Sequence, residues 1–415
     1  MNNINRFLIN RPIPPKNEFT GIFEDKNLIV ILLESVNDIF IHEEYFPTFY
    51  YLFNNGISFR NNYTPRNSCS TGNNEMTAMT GLFSINNICT VNVYNQNRYP
   101  QSIFNVFNRQ DYHTSSYHNH GDIFYNRTVI HRNMGSSKFF GPDALGIPWT
   151  TDFGQWASDL TLMQRSMPHF IDEDPYMAFI TTVTPHRAYT VYSVYAERHA
   201  EMFANQGFSR PLRRYLSKLK ELDLALEYML KNLEAEGQLE NTVIAMFSDH
   251  YPHGLTNAQI NEFLDYDVNV RREIDRTPMV IYHSGTPAKQ VYKYSTIIDL
   301  LPTLLNMFNT QHDPRHYFGI DLMSQQASRA IFADGSWQDE IGFYSATSGR
   351  FTPTNNNDLT YTREELIEIN NHISSMKRMS GGIIRNNYFH QLFRAKERFR
   401  PAQPEEEQII TPPGC

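Results

Sequence analysis

Asn241-Thr-Val-Ile-Ala-Met-Phe-Ser-Asp249-His250-Tyr-Pro-His253-Gly254 is an apolar run that stops abruptly on an acid and an imidazole. β-Branched and aromatic residues fill it, and Pro and Gly close it. The segment therefore predicts a buried strand that delivers two metal-capable side chains into the loop at its carboxyl end. In open α/β sheets ligands bind at that end of the strands. A strand ending in an ordinary polar turn reads the same way, so the meaning of Asp249-His250 depends on what else the chain aims at it.

Two further strands aim at it. Asn27-Leu-Ile-Val-Ile-Leu-Leu33 is continuously apolar, the pattern of a strand buried on both faces of a parallel sheet, and it ends on Glu34. Tyr176 to Val183 is another apolar run, ending in Thr184-Pro185-His186-Arg187. Leu212, Leu216, Leu219, Leu222, Leu226, Met229 and Leu233 recur every three or four residues with lysines and glutamates between them, and Gly237 follows. That is an amphipathic crossover helix leading into the Asp249-His250 strand. Strand, helix and strand in this order make a right-handed βαβ unit. The chain thus predicts an α/β fold with a largely parallel central sheet flanked by helices. More elements are expected at 149–167 (helix), 276–283 (strand), 295–307 (helix), 330–345 (a hairpin around Asp334-Gly335) and 364–377 (helix). The expected division is a linker or strap at 1–20, a catalytic domain at 21–325, a small α+β subdomain at 326–398 and a disordered tail at 399–415.

The segment Arg66-Asn-Ser-Cys-Ser70-Thr71-Gly72-Asn73-Asn74-Glu75-Met76 sets hydroxyls and a glycine ahead of a helix on which Met76, Met79 and Leu82 share a face. Ser70 or Thr71 is expected at or near the N-cap. A helix N-terminus favours a phosphate or another anion, although ordinary capping is the commoner use of such residues. His113, His118, His120, Asp122, Tyr125, Asn126 and Arg127 follow in one polar stretch. They suit an anion-recognition wall, since Arg offers a planar fork of donors.

Composition narrows the class. The 415 residues are 40% hydrophobic and 19% charged, those of a soluble globular chain, and the net charge of −8 is spread without blocks. A nucleic-acid partner is excluded, because it would need a clustered basic face. The longest apolar runs are strand-sized, so no bilayer span is expected, and the N-terminus lacks the features of a signal peptide. Three cysteines (Cys69, Cys89, Cys415) rule out a disulfide framework and lack metal-site spacing.

Glu34, Thr71, Asp249 and His250 together offer three oxygens and a nitrogen. Such a set suits one divalent ion, with Mn²⁺ or Mg²⁺ favoured by the oxygens and Zn²⁺ allowed by the imidazole. A threonine hydroxyl on such an ion becomes a nucleophile toward a phosphoryl or sulfuryl group. Arg127 and the histidines would bind the remaining oxygens, with His186 placed to protonate the leaving oxygen. The residues alone reach a metal-dependent phospho- or sulfo-group enzyme with a covalent threonine intermediate.

Seven segments, in matching order over roughly residues 20–345, resemble the lipoteichoic acid synthase branch of the sulfatase and alkaline phosphatase superfamily, the bacterial phosphoglycerol transferases. Asn27 to Ser35 is similar to the first strand with its metal-binding glutamate. Ser70-Thr71-Gly-Asn-Asn-Glu75-Met76 is similar to the nucleophile segment, whose spacing to the glutamate selects Thr71 over Ser70 and Ser68. Tyr125-Asn126-Arg127, Thr184-Pro185-His186 and Ser248-Asp249-His250 are similar to the substrate-arginine, substrate-histidine and second metal elements. Asp299-Leu-Leu-Pro302 and Phe318-Gly319-Ile-Asp321 are similar to late structural landmarks. The resemblance implies an alkaline phosphatase/sulfatase-like fold with Mn²⁺ at Glu34, Thr71, Asp249 and His250. It implies substrate contacts from Arg127 and His186, with Tyr125 and His118 in the same wall; His120 and His253 are further candidates for substrate contact. It further implies transfer of glycerol phosphate from phosphatidylglycerol to a polyglycerolphosphate or glycolipid acceptor, on the outer face of a bacterial cytoplasmic membrane. Two departures stand out. The family's membrane helices have no counterpart in this chain, and His120 stands where an acid is expected. His253 is open to three roles, with surface or substrate contact placed above metal. The alternatives are a phosphoethanolamine transferase, whose members tend to be zinc-dependent and richer in disulfides, and a phosphodiesterase or sulfatase, whose formylglycine motif Cys69 to Asn73 does not fit. A catalytically dead binding module would have no need of the intact four-residue set.

Overall fold

The computed structural model describes residues 2–268, 273–354 and 359–398, so the tail expected to be disordered lies outside the described residues. The central sheet has eight strands: β1 (Asn27–Leu33), β2 (Ile57–Tyr63), β3 (His113–His118), β4 (Lys138–Phe140), β5 (Tyr176–Thr181), β6 (Thr242–Ser248), β7 (Met279–Tyr282) and β8 (Lys289–Thr296). Their order is β4-β3-β5-β1-β6-β7-β2-β8. Neighbours run parallel except at β7, which is antiparallel to both β6 and β2. The predicted parallel α/β sheet is therefore present.

β1 lies at the centre and is buried along its whole length. Leu28, Val30 and Leu32 enter the core on one face, and Ile29, Ile31 and Leu33 enter the core on the other. A strand buried on both faces has no polar side to show, which is why its sequence reads as a continuous apolar run. Each such side chain contributes about 1.5–3 kcal/mol when fully buried.

Helices cover both faces. The ones that matter here are α1 (Asn2–Ile9), α2 (Pro47–Asn55), α3 (Ser70–Thr80), α4 (Arg127–Asn133), α5 (Asp159–Ser166), α6 (Arg210–Ala235), α7 (Leu300–Met307) and α8 (Arg363–Arg385). The heptad-like stripe of α6, from Leu212 to Leu233, is buried against the Ile29-Ile31-Leu33 face. Met76, Met79, Leu300, Leu304, Ile383 and Ile384 pack against the opposite face. A small antiparallel sheet, β9 (Ala330–Ile331), β10 (Trp337–Gln338), β11 (Gly342–Ser345) and β12 (Arg350–Pro353), follows the main one. Its first hairpin turns at Gly335, whose φ of 93° suits a residue without a side chain.

Three local expectations shift. Residues 2–9 form α1, a helix whose Ile4 and Leu8 are buried in the same core as α8, so the expected strap starts as a docked helix. Two apolar residues one turn apart are too weak a signal to reveal a helix that only tertiary packing stabilises. The helix expected from 149 begins only at Asp159. Asp152 first closes a single turn by accepting from the Gly154 N–H, and Ser158 then caps α5 by accepting from the Thr161 N–H. β3 opens the stretch whose polar sequence predicts no secondary structure. Its hydroxyls are tied off internally (Thr114 to Asn108 at 2.6 Å, Ser116 with Ser136 at 2.9 Å), which lets a polar strand be buried.

Candidate active site

β3, β5, β1 and β6 are consecutive and parallel, so their carboxyl ends share one edge of the sheet. Leu33 pairs with Ser248, and Thr181 pairs with both Leu32 and His118. In that register the next residues, Glu34, Asp249 and Thr182, emerge side by side. β2 ends at the same edge, and the loop after it anchors there through the Thr64 hydroxyl, which donates to the Asp249 carbonyl at 2.9 Å. That loop delivers Thr71.

Glu34, Asp249 and His250 are buried, and each offers a donor atom within 4.8 Å of the others. His250 Nε2 is 3.7 Å from Glu34 and 3.3 Å from Asp249. His250 Nδ1 lies 2.8 Å from the Tyr251 carbonyl, which accepts its proton and leaves Nε2 with a free lone pair. Burial pushes the Glu34 carboxyl up to about 7. Burial and then the charge of Glu34 push Asp249 up to about 7 as well. Two buried acids facing an imidazole lone pair are a poor arrangement without a cation and a good one with it. The donor set fits a divalent ion.

Thr71 completes the cluster. Its Oγ1 donates to Asp249 Oδ2 at 2.7 Å and lies 3.4 Å from His250 Nε2. It sits in the first turn of α3, two residues past the cap. The cap is Cys69, held at a φ of 48° with no side-chain capping bond, so nothing from the cap competes with an anion for the first-turn N–H groups. A left-handed non-glycine residue costs roughly 1–2 kcal/mol, a kind of strain that tends to gather at working sites.

The wall faces this cluster from β3, α4 and the loop between them. Arg127 is 2% exposed, and its Nε donates to Glu75 at 3.0 and 3.2 Å. Burial opposes the Glu75 charge, but Arg127, His131 and the Thr181 hydroxyl (2.6 Å) overcome it and hold the carboxyl well below its ordinary range. Glu75 thus fixes the guanidinium, which explains why a glutamate stands four residues after Thr71. Tyr125 lies under Arg127, 5.4 Å from its guanidinium carbon to the ring centre, and packs on Gly72 so closely that a Cβ there would sit 2.8 Å from the ring. His118 is bonded through Nδ1 to the Thr181 carbonyl at 2.8 Å. His120 meets Trp156 edge-on at 4.1 Å, and Trp156 reaches His186 at 5.8 Å. His186 bonds the Arg187 carbonyl through Nδ1, and burial pushes its pKa down. His253 is exposed and stacks on the His250 ring at 4.1 Å, outside the Glu34–Asp249–His250 set.

The Sulfatase family model matches residues 26–310, more than half of the chain. The chain belongs to the Sulfatase family. It is similar to lipoteichoic acid synthase 1 of Bacillus subtilis, at 25% identity over 78% of this chain and 52% of that protein. It is also similar to the lipoteichoic acid synthase of Staphylococcus aureus, at 22% identity over 97% of this chain and 63% of that protein. The chain therefore spans about half to three-fifths of the length of these relatives. The crystal structure of the lipoteichoic acid synthase LtaP from Listeria monocytogenes superposes with a TM-score of 0.78, at 18% identity, over 93% of this chain and 98% of that one. This likeness bears out the alkaline phosphatase/sulfatase-like fold.

Three features of the site escaped sequence reading. Asp159, fully buried, accepts from the Val183 N–H at 2.8 Å and the Thr184 N–H at 3.0 Å, and so shapes the loop that carries His186. As the first residue of a helix it reads as ordinary capping. Lys218, 3% exposed, donates to the His186 carbonyl at 2.8 Å and lies 4.2 Å over the Phe153 ring. Its signal was available: it stands three residues after Tyr215 and four before Leu222, on the buried stripe of α6. Burial pushes its ammonium down to about 7. The third is a correction. Cys69 and Cys89 form a disulfide, with 5.2 Å between their Cα atoms. Twenty residues of separation and an odd cysteine count hid a pair that the fold brings together.

Proposed function

We propose that this domain is a metal-dependent phosphoglycerol transferase that moves glycerol phosphate from phosphatidylglycerol to a polyglycerolphosphate or glycan acceptor through a covalent Thr71 intermediate. One observation carries the reading. The Thr71 hydroxyl donates to Asp249 in the buried cation-ready cluster, and Glu75, one turn further along the same helix, fixes the Arg127 guanidinium. The similarity to lipoteichoic acid synthases supports the substrate class, and oxygen-rich ligation supports Mn²⁺. A cation held by Glu34, Asp249 and His250 would make the Thr71 hydroxyl more acidic and offset charge on the phosphate oxygens.

The chain's own groups do the rest. Arg127, with Glu75 on its Nε, offers its remaining donors to the phosphate oxygens, and the open first turn of α3 adds N–H groups. The first half-reaction forms the Oγ1–P bond and breaks the P–O bond to diacylglycerol; the Thr71 proton goes to solvent water, and the departing oxygen takes a proton from solvent water. The second half-reaction is the same exchange run with an acceptor hydroxyl, which restores Thr71. His186, with its Nδ1 proton committed to a carbonyl, is better placed to accept a proton from a substrate hydroxyl than to donate one. That assigns it to the glycerol or acceptor hydroxyl rather than to the leaving oxygen. Tyr125, His118 and His120 line the head-group side. A groove of about 1180 Å³, lined by Arg66, Ser68, Phe332, Phe343 and Arg350, runs from the nucleophile loop to the small sheet and offers room for an acceptor chain.

Among the described residues no helix is long and apolar enough to cross a membrane. The substrates nevertheless assign the domain to the outer face of a bacterial cytoplasmic membrane, working at the lipid surface. The deciding experiment incubates the protein with Mn²⁺ and fluorescent phosphatidylglycerol, following diacylglycerol release and a glycerophosphoryl adduct on Thr71. Undiminished release from Thr71→Ala overturns the proposal. Phosphatidylethanolamine in parallel separates it from a phosphoethanolamine transferase.

A further inference from the structure

We propose that the Cys69–Cys89 disulfide is a positioning device for Thr71, so that turnover requires these two cysteines to be oxidised. This rests on the reading of Thr71 as the nucleophile. Cys69 immediately precedes α3 and carries the left-handed turn (φ 48°) from which the helix starts, and Thr71 follows two residues later. Cys89 sits at the start of the short helix Thr90–Val93, its carbonyl accepting from the Asn92 and Val93 N–H groups at 3.0 Å each.

The bond therefore joins two helix starts, and a second set of contacts runs beside it. The Asn73 side chain donates to the Ile88 carbonyl at 2.9 Å and to the Ser68 carbonyl, and accepts from the Val91 N–H at 3.2 Å. Val91 is pressed against Gly72, where a Cβ would lie 2.8 Å from it, and Tyr125 closes the other side at the same distance. Asn126 then donates to Asn92 at 3.1 Å. The staple thus locks the backbone on both sides of Thr71 and couples it to the segment that carries Tyr125 and Arg127. Its Cα separation is normal for a disulfide. Both cysteines are only partly buried, so a small reductant reaches them. Displacement of a nucleophile by about 1 Å can cost on the order of 10²-fold in rate. A disulfide also persists only in an oxidising compartment, which agrees with the outer-face assignment.

The test uses the full chain carrying Cys415→Ser, so that only this pair can react. Tris(2-carboxyethyl)phosphine breaks the S–S bond; each sulfur leaves with a proton, and the phosphine is oxidised to its oxide with oxygen from water. Turnover of fluorescent phosphatidylglycerol with Mn²⁺ is measured before reduction, after it, and after re-oxidation by oxidised glutathione, well below the melting temperature. We expect kcat to fall at least tenfold and to recover on re-oxidation, with KM and Mn²⁺ affinity unchanged within twofold. Cys69→Ser/Cys89→Ser is expected to match the reduced protein and to ignore the reductant. Hydrogen exchange is expected to quicken at the amides of residues 70–73 while those of β1 and β6 stay protected. Reduced protein that keeps kcat within threefold, or unchanged exchange at 70–73, overturns the proposal. If the oxidised protein releases no diacylglycerol, the phosphoglycerol reading has failed instead. The staple is then judged from exchange and from Mn²⁺-dependent hydrolysis of bis(p-nitrophenyl) phosphate.

Discussion

The two halves of the site are built on opposite plans. The metal-ready half hangs directly from strand ends: Glu34 follows β1, Asp249 and His250 follow β6, and these strands pair residue for residue from Asn27–Thr242 to Leu33–Ser248. The wall half is assembled from a strand end, a loop, two helix starts and a side chain of α6, tied together by Glu75, Asp159 and Lys218. Strand-end groups inherit the rigidity of the sheet. Wall groups depend on buried charge contacts that single substitutions can undo. Damage to the first half should abolish chemistry without destabilising the metal-free fold, whereas damage to the second should cost binding and stability together.

The largest effect tests the hydroxyl that the strand-end half is proposed to activate. Thr71→Ala should lower diacylglycerol release by at least about 10³-fold, because the covalent route is lost. Its melting temperature should barely move, since among the described residues the hydroxyl meets only Asp249 and His250. A large drop in stability would break the comparison.

Glu34→Gln comes next. It should abolish stabilisation by Mn²⁺, which in wild type should reach about 2.7 kcal/mol at a hundred times Kd. Metal-free protein should behave oppositely. Glu34 is held at about 7 in the fold, above its ordinary 4.5, so its charge costs stability progressively as pH rises through that interval. At pH 8 the metal-free variant should therefore be the more stable by roughly 1–3 kcal/mol in urea titrations.

Glu75→Gln probes the wall. Removing one partner of a buried pair leaves Arg127 uncompensated at a cost of about 3–5 kcal/mol. The same change should lower kcat/KM roughly 10- to 100-fold by loosening the guanidinium. Equal stability to wild type in denaturant titration would show that the wall is as self-supporting as the strand ends.

The smallest expected effect concerns Lys218. Its ammonium is pushed down to about 7 from 10.5, so above pH 7 the unfolded chain binds more protons than the folded one. This residue should make stability rise between about pH 7 and 10, and Lys218→Met should flatten that rise by a few kcal/mol at most. Denaturation midpoints across that range decide it.

The comparison also describes what could be read in advance. Central strands, the α6 stripe and the metal-ready residues were legible because a strand buried on both faces must be apolar throughout, so an acid at its end stands out. β3 was not legible, because its burial depends on hydroxyl partners supplied by Asn108 and Ser136. Lys218 was hidden inside a helix that reads as amphipathic, although its place on the apolar stripe marked it. The Cys69–Cys89 pair had no local signature.

Sequence alone determined the class of fold and the strands that carry Glu34, Asp249 and His250, because periodicity is a property of the chain itself; Thr71 was singled out through the family resemblance. Only the tertiary structure decided that Glu75 belongs to Arg127, that His253 stacks on His250 instead of joining the cluster, and that a disulfide ties the turn before Thr71 to the start of the helix Thr90–Val93. Those facts depend on which distant segments share a few ångströms of space, and no local pattern encodes that distance.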